Sequence, residues 1–400
     1  MKIKSIRAFA LADLTQGSNY AERPQDAVRS RRAPWTKDSV VASPMARYPR
    51  FRAQRSSWVG DQPTLGCLVT AEDGTWGLGT AGYGGTGYGS AVKSLINDHI
   101  GPLLVGENPL ATERLFDMMM RLASPYSPVG IASFAISAID LALWDLKGRT
   151  LRRPVYEIAG GPVRESQYCY ATGNDVDWQL ELGFKAIKVA CPRGSADGLD
   201  GLDRNEELVG KTREAIGQHV DLMLDCWMSM DVEFTVRLAE RLRPYRLKWL
   251  EDSLVPEQIS AHRALRERLP WQTLATGEHW YSPYVFYEAI KDRVVDILQP
   301  DIHWAGGFTA CQRIAAIADA AGLEVILHAG MNTPYGQHFS LSCPNTVWGE
   351  YFFGGAPGVP LAETTGFPGM AVPKDGRVTV SDEPGFGHGL TLERLEKLTV

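Results

Sequence analysis

From residue 167 to residue 350 the chain alternates eight short apolar runs with helical sequence. Nearly every run ends on a residue that a protein interior rejects unless it is paired. The runs are QYCYAT (167–172), FKAIKVA (184–190), DLMLD (221–225), LKWLE (247–251), TLATGE (273–278), VVDILQPD (294–301), EVILH (324–328) and TVWGE (346–350). Segments with helical character separate most of them, such as NEELVGKTREAIG (205–217), VEFTVRLAERLR (232–243) and FTACQRIAAIADAAG (308–322). Eight strands alternating with helices predict a parallel (β/α)8-type barrel, a TIM-like α/β fold. Consecutive strand ends then converge on one face, where the active sites of such barrels lie.

The polar residues at those ends are Lys188, Asp225, Glu251, Glu278, Asp301, His328 and Glu350. One polar strand end is often only a cap for the next helix. Seven among eight strands point to a site, because Lys, His and carboxylates are rarely buried unless paired. Asp225, Glu251 and Glu278 follow one another at intervals of 26 and 27 residues, about one strand, one helix and two loops. Three convergent carboxylates raise one another's pKa and stay ionised together only around a cation. An all-oxygen ligand set favours a hard ion, with Mg²⁺ first. Asp301 and His328 end consecutive strands, so the carboxylate can fix the imidazole tautomer and make His328 a general base near neutral pH. His279, next to Glu278, is the better candidate for a substrate contact, with Lys188 as another; His303 also lies close to the face. His99, His219, His262 and His388 read as surface or packing residues.

Ahead of the barrel, KIKSIRAFAL (2–11) alternates like a strand, and TLGCLVTAEDGTWGLGTA (64–81) reads as two strands turned at Asp73-Gly74. Residues 1–128 are expected to form an α+β capping domain, 129–355 the barrel, and 356–400 a Gly/Pro-rich segment packing back on the capping domain. The long irregular stretch 13–62 carries Arg29, Arg31, Arg32, Lys37, Arg47, Arg50, Arg52 and Arg55, opposed across 29–55 only by Asp38. It reads either as a solvated basic loop or as a lid that draws in and covers an anionic substrate. The apolar helix 129–148, ending at Lys147-Gly148, contains Asp140 and Asp145 and so is expected to be buried in the protein, not in a membrane.

A formal charge of −6 excludes a general nucleic-acid or anionic-membrane role for the chain. The six cysteines show no paired spacing and read as buried thiols. The charged opening KIKSIRAFAL is not a secretory signal, and a cytoplasmic enzyme is expected. GYGGTGYG (82–89) follows a hairpin and lacks the βαβ context of a dinucleotide fingerprint.

Together the motifs ISAIDLALWDLKGR (136–149), LMLDCWMSMDV (222–232), LKWLEDSL (247–254), ATGEHWYS (275–282), DILQPDIHWAGG (296–307) and ILHAG (326–330) resemble those of the enolase superfamily, mandelate racemase subgroup. CYATGNDVDWQLELGF, LDCWMSMDV and the VVASPMARY stretch resemble L-rhamnonate dehydratase-type acid-sugar dehydratases within it. The resemblance implies a modified TIM barrel with an N-terminal capping domain, Mg²⁺ on Asp225, Glu251 and Glu278, and a base dyad of His328 and Asp301. It further implies that Glu350, protonated or through a shared proton, bonds the substrate carboxylate, and that Arg55 in the lid contacts a distal substrate group. Sites of this superfamily pair a Lys or His base with Mg²⁺ that stabilises an enediolate. The implied partner is a small-molecule sugar acid: L-rhamnonate or a relative such as L-lyxonate or L-mannonate. The subgroup also implies a homo-oligomer. Two positions depart from the pattern. Many subgroup members carry Lys-x-Lys on the second strand, where this chain has Lys188-Val189-Ala190, so one face lacks a base and elimination is favoured over racemisation. Val40 stands where rhamnonate dehydratases carry a His, which leaves the sugar acid open. The alternatives are an epimerase, racemase or lactonising enzyme of the same superfamily, or a non-catalytic sugar-acid-binding barrel.

Overall fold

The computed structural model describes residues 1–11, 35, 41–52, 64–81, 89–364 and 367–399. Strands β1 (Ile3–Leu11), β2 (Thr64–Ala71) and β3 (Trp76–Thr80) form an antiparallel sheet in that order, with the Asp73-Gly74 turn joining the last two. Helices α1 (Thr112–Ala123) and α2 (Ile131–Leu151) follow a helical run over 89–104. Every residue of α2 from Ala132 to Leu146 is buried, so its polar side chains must find partners inside. Ser137 accepts from the Gly306 N–H (2.9 Å), Asp140 accepts from the Thr309 N–H (2.9 Å) and hydroxyl (2.6 Å), and Ser133 donates to the Trp304 carbonyl. Asp145 accepts from the N–H groups of Leu78 (3.0 Å) and Phe386 (2.9 Å). The two aspartates that keep α2 from reading as a membrane span are thus its ties to the barrel loop 304–309, to β3 and to the C-terminal segment. Among the described residues no helix is long and apolar enough to cross a membrane.

The barrel strands are β4 (Gln167–Thr172), β5 (Ala186–Ala190), β6 (Asp221–Asp225), β7 (Leu250–Glu251), β8 (Leu274–Thr276), β9 (Ile297–Leu298), β10 (Glu324–Val325) and β11 (Trp348–Phe352). They pair in parallel in the spatial order β10-β9-β8-β7-β6-β5-β4-β11. Val325 N–H donates to the Asn345 carbonyl (3.1 Å), which joins β10 to the residues leading into β11. The fold is therefore a (β/α)8-type barrel preceded by an α+β domain. Its lumen floor takes one side chain from each strand or its immediate neighbour: Tyr170, Ala186, Met223, Trp249, Ala275, Ile297, Ile326 and Trp348.

Several sequence boundaries shift. Strands β8 to β10 end before their apolar runs do, because the backbone leaves the ladder where the site begins, whereas β7 ends with its run at Glu251 and starts late, at Leu250. Gly277 (φ 133°) precedes Glu278, Asp301 follows Pro300, which has no N–H to donate, and Ala329 (φ 44°) follows His328. Helix α2 runs three residues past Gly148. That glycine is required by close approach, since a Cβ there would lie 2.7 Å from Gly385 Cα. In the C-terminal segment, β12 (Arg377–Val378) pairs antiparallel with β4, while Leu390 and Leu395 pack with Phe9, Leu11, Trp76 and Leu78. The segment touches both the barrel and the N-terminal sheet. All six cysteines are buried and free.

Candidate active site

Side chains on a strand face the same way every second residue. Two positions above the apolar floor this places Thr172, Lys188, Asp225, Glu251, Gln299, His328 and Glu350 in one layer, with Gly277 at the eighth position. The layer is polar because its members satisfy one another. Lys188, fully enclosed, ion-pairs with Glu251, with Glu350 (2.9 Å) and with Asp225 (3.6 Å). The second oxygen of Glu251 accepts from the Trp249 indole and the Gln299 amide, both at 2.8 Å. Glu350 accepts from the Thr172 hydroxyl (2.5 Å) on Oε1 and from the Ala329 N–H (2.7 Å) on Oε2.

Asp301 and His328 meet as their adjacent strand ends require. His328 Nδ1 lies 2.7 Å from Asp301 Oδ2, while Asp301 Oδ1 accepts the His303 N–H (2.7 Å). The imidazole's other nitrogen, Nε2, lies 3.4 Å from Glu278 Oε2. Glu278 Oε1 accepts from the Trp227 indole (3.0 Å) and lies 3.2 Å from His279 Nδ1, which is also 3.5 Å from Asp252 Oδ2. Trp304 lies beside both rings, 5.2 Å from His328 and 5.6 Å from His279. The hydrogen bonds from α2 to loop 304–309 hold that indole in place. His303, near the site in sequence, is enclosed, with its ring nitrogens near Thr80 and 3.3 Å from Thr333. Burial lowers its pKa and leaves it a neutral strut between the N-terminal sheet and the barrel.

The electrostatics are those of a crowded acidic mouth. Burial pushes Asp225 up to about 6 against the pull of Lys188, with Glu278, Asp252 and Glu350 adding to the rise. Burial likewise lifts Glu251 to about 7, and it raises Glu278. Burial disfavours the His328 cation, yet Glu278, Asp301 and Glu350 together raise the imidazole to about 10. Six carboxylates (Asp225, Glu251, Asp252, Glu278, Asp301, Glu350) line this region. Among the described residues, Lys188, His279 and His328 are the cationic groups that pair with them. The surplus of buried negative charge, carried by oxygen donors, fits a hard divalent cation. Asp225, Glu251 and Glu278 all stand here. Among the described residues, ligand atoms of Asp252, Glu278 and His279 lie within 4.8 Å of one another, while the Glu251 carboxylate is engaged by Lys188, Trp249 and Gln299.

The ammonium of Lys188, expected as a substrate contact, is enclosed and shared among three carboxylates. At Glu350, expected as a proton donor to the substrate carboxylate, burial alone would raise the carboxyl, but Lys188, His328 and Thr172 hold it down at about 2. Arg55 and Val40 lie outside the described residues, as do Arg29, Arg31, Arg32 and Lys37. Of the basic stretch, Arg52 ion-pairs with Asp197, while Arg47 and Arg50 are exposed. Sequence reasoning misses Asp252, Trp227, Thr172, Gln299 and Trp304. Alternation assigns residue 252 to the opposite face from Glu251, but its φ of 46° turns it toward His279.

A carboxylate-lined barrel mouth with a His–Asp dyad defines a class, and comparison with known proteins agrees with it. Residues 40–160 match the mandelate racemase/muconate lactonizing enzyme N-terminal domain, and residues 174–394 match the enolase C-terminal domain-like family. The chain belongs to this mandelate racemase/muconate lactonizing enzyme family of the enolase superfamily. It is 36% identical to L-rhamnonate dehydratase of Saccharopolyspora erythraea over 398 residues, covering 98% of this chain and 97% of that one. The crystal structure of L-rhamnonate dehydratase from Gibberella zeae superposes with a TM-score of 0.85 at 32% identity, covering 100% of this chain and 96% of that one. The Gibberella zeae rhamnonate dehydratase complexed with Mg gives a TM-score of 0.87 at 33% identity, with the same coverage.

Proposed function

We propose that this enzyme, a hydro-lyase acting on sugar acids, dehydrates L-rhamnonate or a close relative to the 2-keto-3-deoxy acid. The observation that carries the reading is the His328–Asp301 dyad opening onto Glu278 and the carboxylate cluster, with the short side chain of Ala190 where a second base would stand. Asp225, Glu251 and Glu278, with Asp252 beside them, are the residues that would hold Mg²⁺. When bound, Mg²⁺ offsets the carboxylate field on His328 and stabilises the negative charge of an enediolate.

The chain's own groups do the proton work. Asp301 fixes the Nδ1–H tautomer of His328, so the Nε2 lone pair faces the mouth and takes the proton from C2 of the aldonate. Lys188 and Thr172 hold Glu350 ionised, and Glu350 in turn anchors the Ala329 N–H directly after His328, which fixes the base in position. The resulting enediolate expels the C3 hydroxyl. His328, now protonated and the acid beside the departing group, returns the proton and water leaves. The enol tautomerises to the keto acid. With a base on one face only, proton removal and elimination replace racemisation. Trp227 and Trp304 wall the two histidines from bulk water.

The test is incubation with Mg²⁺ and a panel of five- and six-carbon aldonates, followed by assay for 2-keto acids. Product from L-rhamnonate, L-lyxonate or L-mannonate is expected; no product from any aldonate sinks the dehydratase reading.

A further inference from the structure

The loops that lead into β7 and β8 lie at the N-terminal end of the barrel, opposite the catalytic mouth, and between them is a cleft with a cavity of about 190 Å³. Arg243, Arg246 and Leu247 line it from the β7 side, and Trp271, Gln272 and Thr273 from the β8 side. A buried third arginine, Arg213, braces it. Its guanidinium donates to the carbonyls of Tyr245 (3.0 Å), Arg246 (3.4 Å), Gly217 (2.9 Å) and Val220 (2.7 Å). Those bonds fix the turn on which Arg246 stands at φ 53°. The cleft is cationic where the neighbouring surface is neutralised. Arg241, Arg263, Arg266 and Arg268 each ion-pair with an acid. Among the described residues Arg246 pairs with no carboxylate and donates only to the Gln218 side-chain oxygen, while Arg243 has Glu240 at 4.0 Å. The Arg243 guanidinium lies over the Trp271 ring, 4.7 Å from its centroid, yet that indole stays 37% exposed. Gln272 is only 7% exposed; its amide N–H donates to the Thr273 carbonyl (3.1 Å), but among the described residues its Oε1 and the Thr273 hydroxyl have no hydrogen-bond partner. A nearly buried acceptor left open in this way calls for a donor from outside.

An anion that also carries hydroxyl groups matches this set of residues. Guanidinium forks take a carboxylate or phosphate through charge-assisted hydrogen bonds. Gln272 Oε1 accepts from a hydroxyl, the Thr273 hydroxyl bonds another, and the Trp271 ring and Leu247 pack against the carbon skeleton. Size narrows the choice. A water takes about 30 Å³ of liquid, so the cavity has room for about six waters, more than a simple inorganic ion fills. It is smaller than the roughly 300 Å³ or more of pockets that hold cofactors and drug-sized molecules. We propose that this cleft is a second binding site, separate from the catalytic mouth, for a sugar-sized hydroxylated anion whose charge is a carboxylate or a phosphate ester.

The experiment is titration calorimetry of the full chain in Mg²⁺ with D-gluconate, D-glucose 6-phosphate, uncharged D-glucose and inorganic phosphate. It is run on the wild type and on Arg246→Met, Trp271→Leu and Thr273→Val. At least one of the two organic anions is expected to bind, with a Kd that Arg246→Met raises by about 10-fold or more. Trp271→Leu and Thr273→Val are expected to weaken the same binding, and D-glucose is expected to give no heat. Whichever organic anion binds more tightly identifies the charge as carboxylate or phosphate. Binding of neither organic anion overturns the proposal. So does binding that none of the variants moves, which places the ligand elsewhere, at the catalytic mouth in the case of gluconate. Inorganic phosphate binding as tightly as the organic anions, with Trp271→Leu and Thr273→Val silent, means an adventitious ion only and overturns it as well. Arg246 and Trp271 are exposed side chains; should Arg246→Met fail to fold, Trp271→Leu and Thr273→Val decide the matter. The heats do not depend on turnover, so the result stands whichever acid the catalytic site takes.

Discussion

Lys188→Met is expected to destabilise the metal-free enzyme and to make its stability depend more strongly on Mg²⁺. The ammonium is fully enclosed and lies 2.9 Å from Glu350 and 3.6 Å from Asp225, with Glu251 ion-paired as well. At an effective dielectric of about 20, charges at those two separations attract by roughly 6 and 5 kcal/mol before desolvation is subtracted. Removing one partner of a buried ionic cluster costs about 3–5 kcal/mol net, because the remaining charges are left uncompensated. Methionine fills much of the volume, so the loss reports charge and not a cavity. Urea unfolding followed by intrinsic fluorescence, in EDTA and in millimolar Mg²⁺, is the assay. The variant should unfold at lower urea in EDTA with an unchanged slope, and should gain more from Mg²⁺ than the wild type does. An unchanged midpoint in EDTA, or an equal gain from Mg²⁺, would show that Lys188 does not neutralise the cluster.

Three further outcomes follow from the geometry. His328→Asn should lower kcat by at least about 10³-fold while leaving the Mg²⁺ titration by calorimetry intact; near-normal turnover rules His328 out as the base. Gly277→Ala should destabilise the fold by roughly 1–3 kcal/mol, since φ there is 133° and the added Cβ would lie 2.8 Å from Phe286, and urea midpoints measure it. Burial holds the His338 imidazole at about 3, below its usual 6.5. The folded state therefore binds fewer protons there than the unfolded state between those values. The stability that His338 lends is complete above about 6.5 and is lost as pH falls toward 3, by on the order of 4 kcal/mol in all. His338→Gln should flatten the fall in urea midpoint between pH 6.5 and 4, and an unchanged fall would contradict the assignment.

Much of the site is legible in the chain because strand periodicity and strand-end convergence are local rules with a global result. Lys188, Asp225, Glu251 and Glu350 occupy one lumen layer for that reason, and the neighbouring ends of β9 and β10 bring Asp301 to His328. The rules fail where the backbone leaves the ladder. Asp252 turns at φ 46° and Trp227 at φ 40°, positions that alternation cannot place, and both reach Glu278 or its neighbour His279. Gly148 reads as a helix stop, but the constraint is a tertiary contact with Gly385 that no local pattern carries. The surroundings of Glu350 are hidden for a similar reason: no local pattern places Lys188 and Thr172 against its carboxylate.

The central claim is one-sided proton abstraction at C2 followed by loss of the C3 hydroxyl. Proton NMR of L-rhamnonate incubated with the enzyme and Mg²⁺ in deuterium oxide tests it most directly. The expected result is a 2-keto-3-deoxy acid that has taken up deuterium at C3, with L-rhamnonate's C2 configuration unchanged in the remaining substrate. Deuterium entering C2 with inversion and without loss of water would contradict it and identify an epimerase.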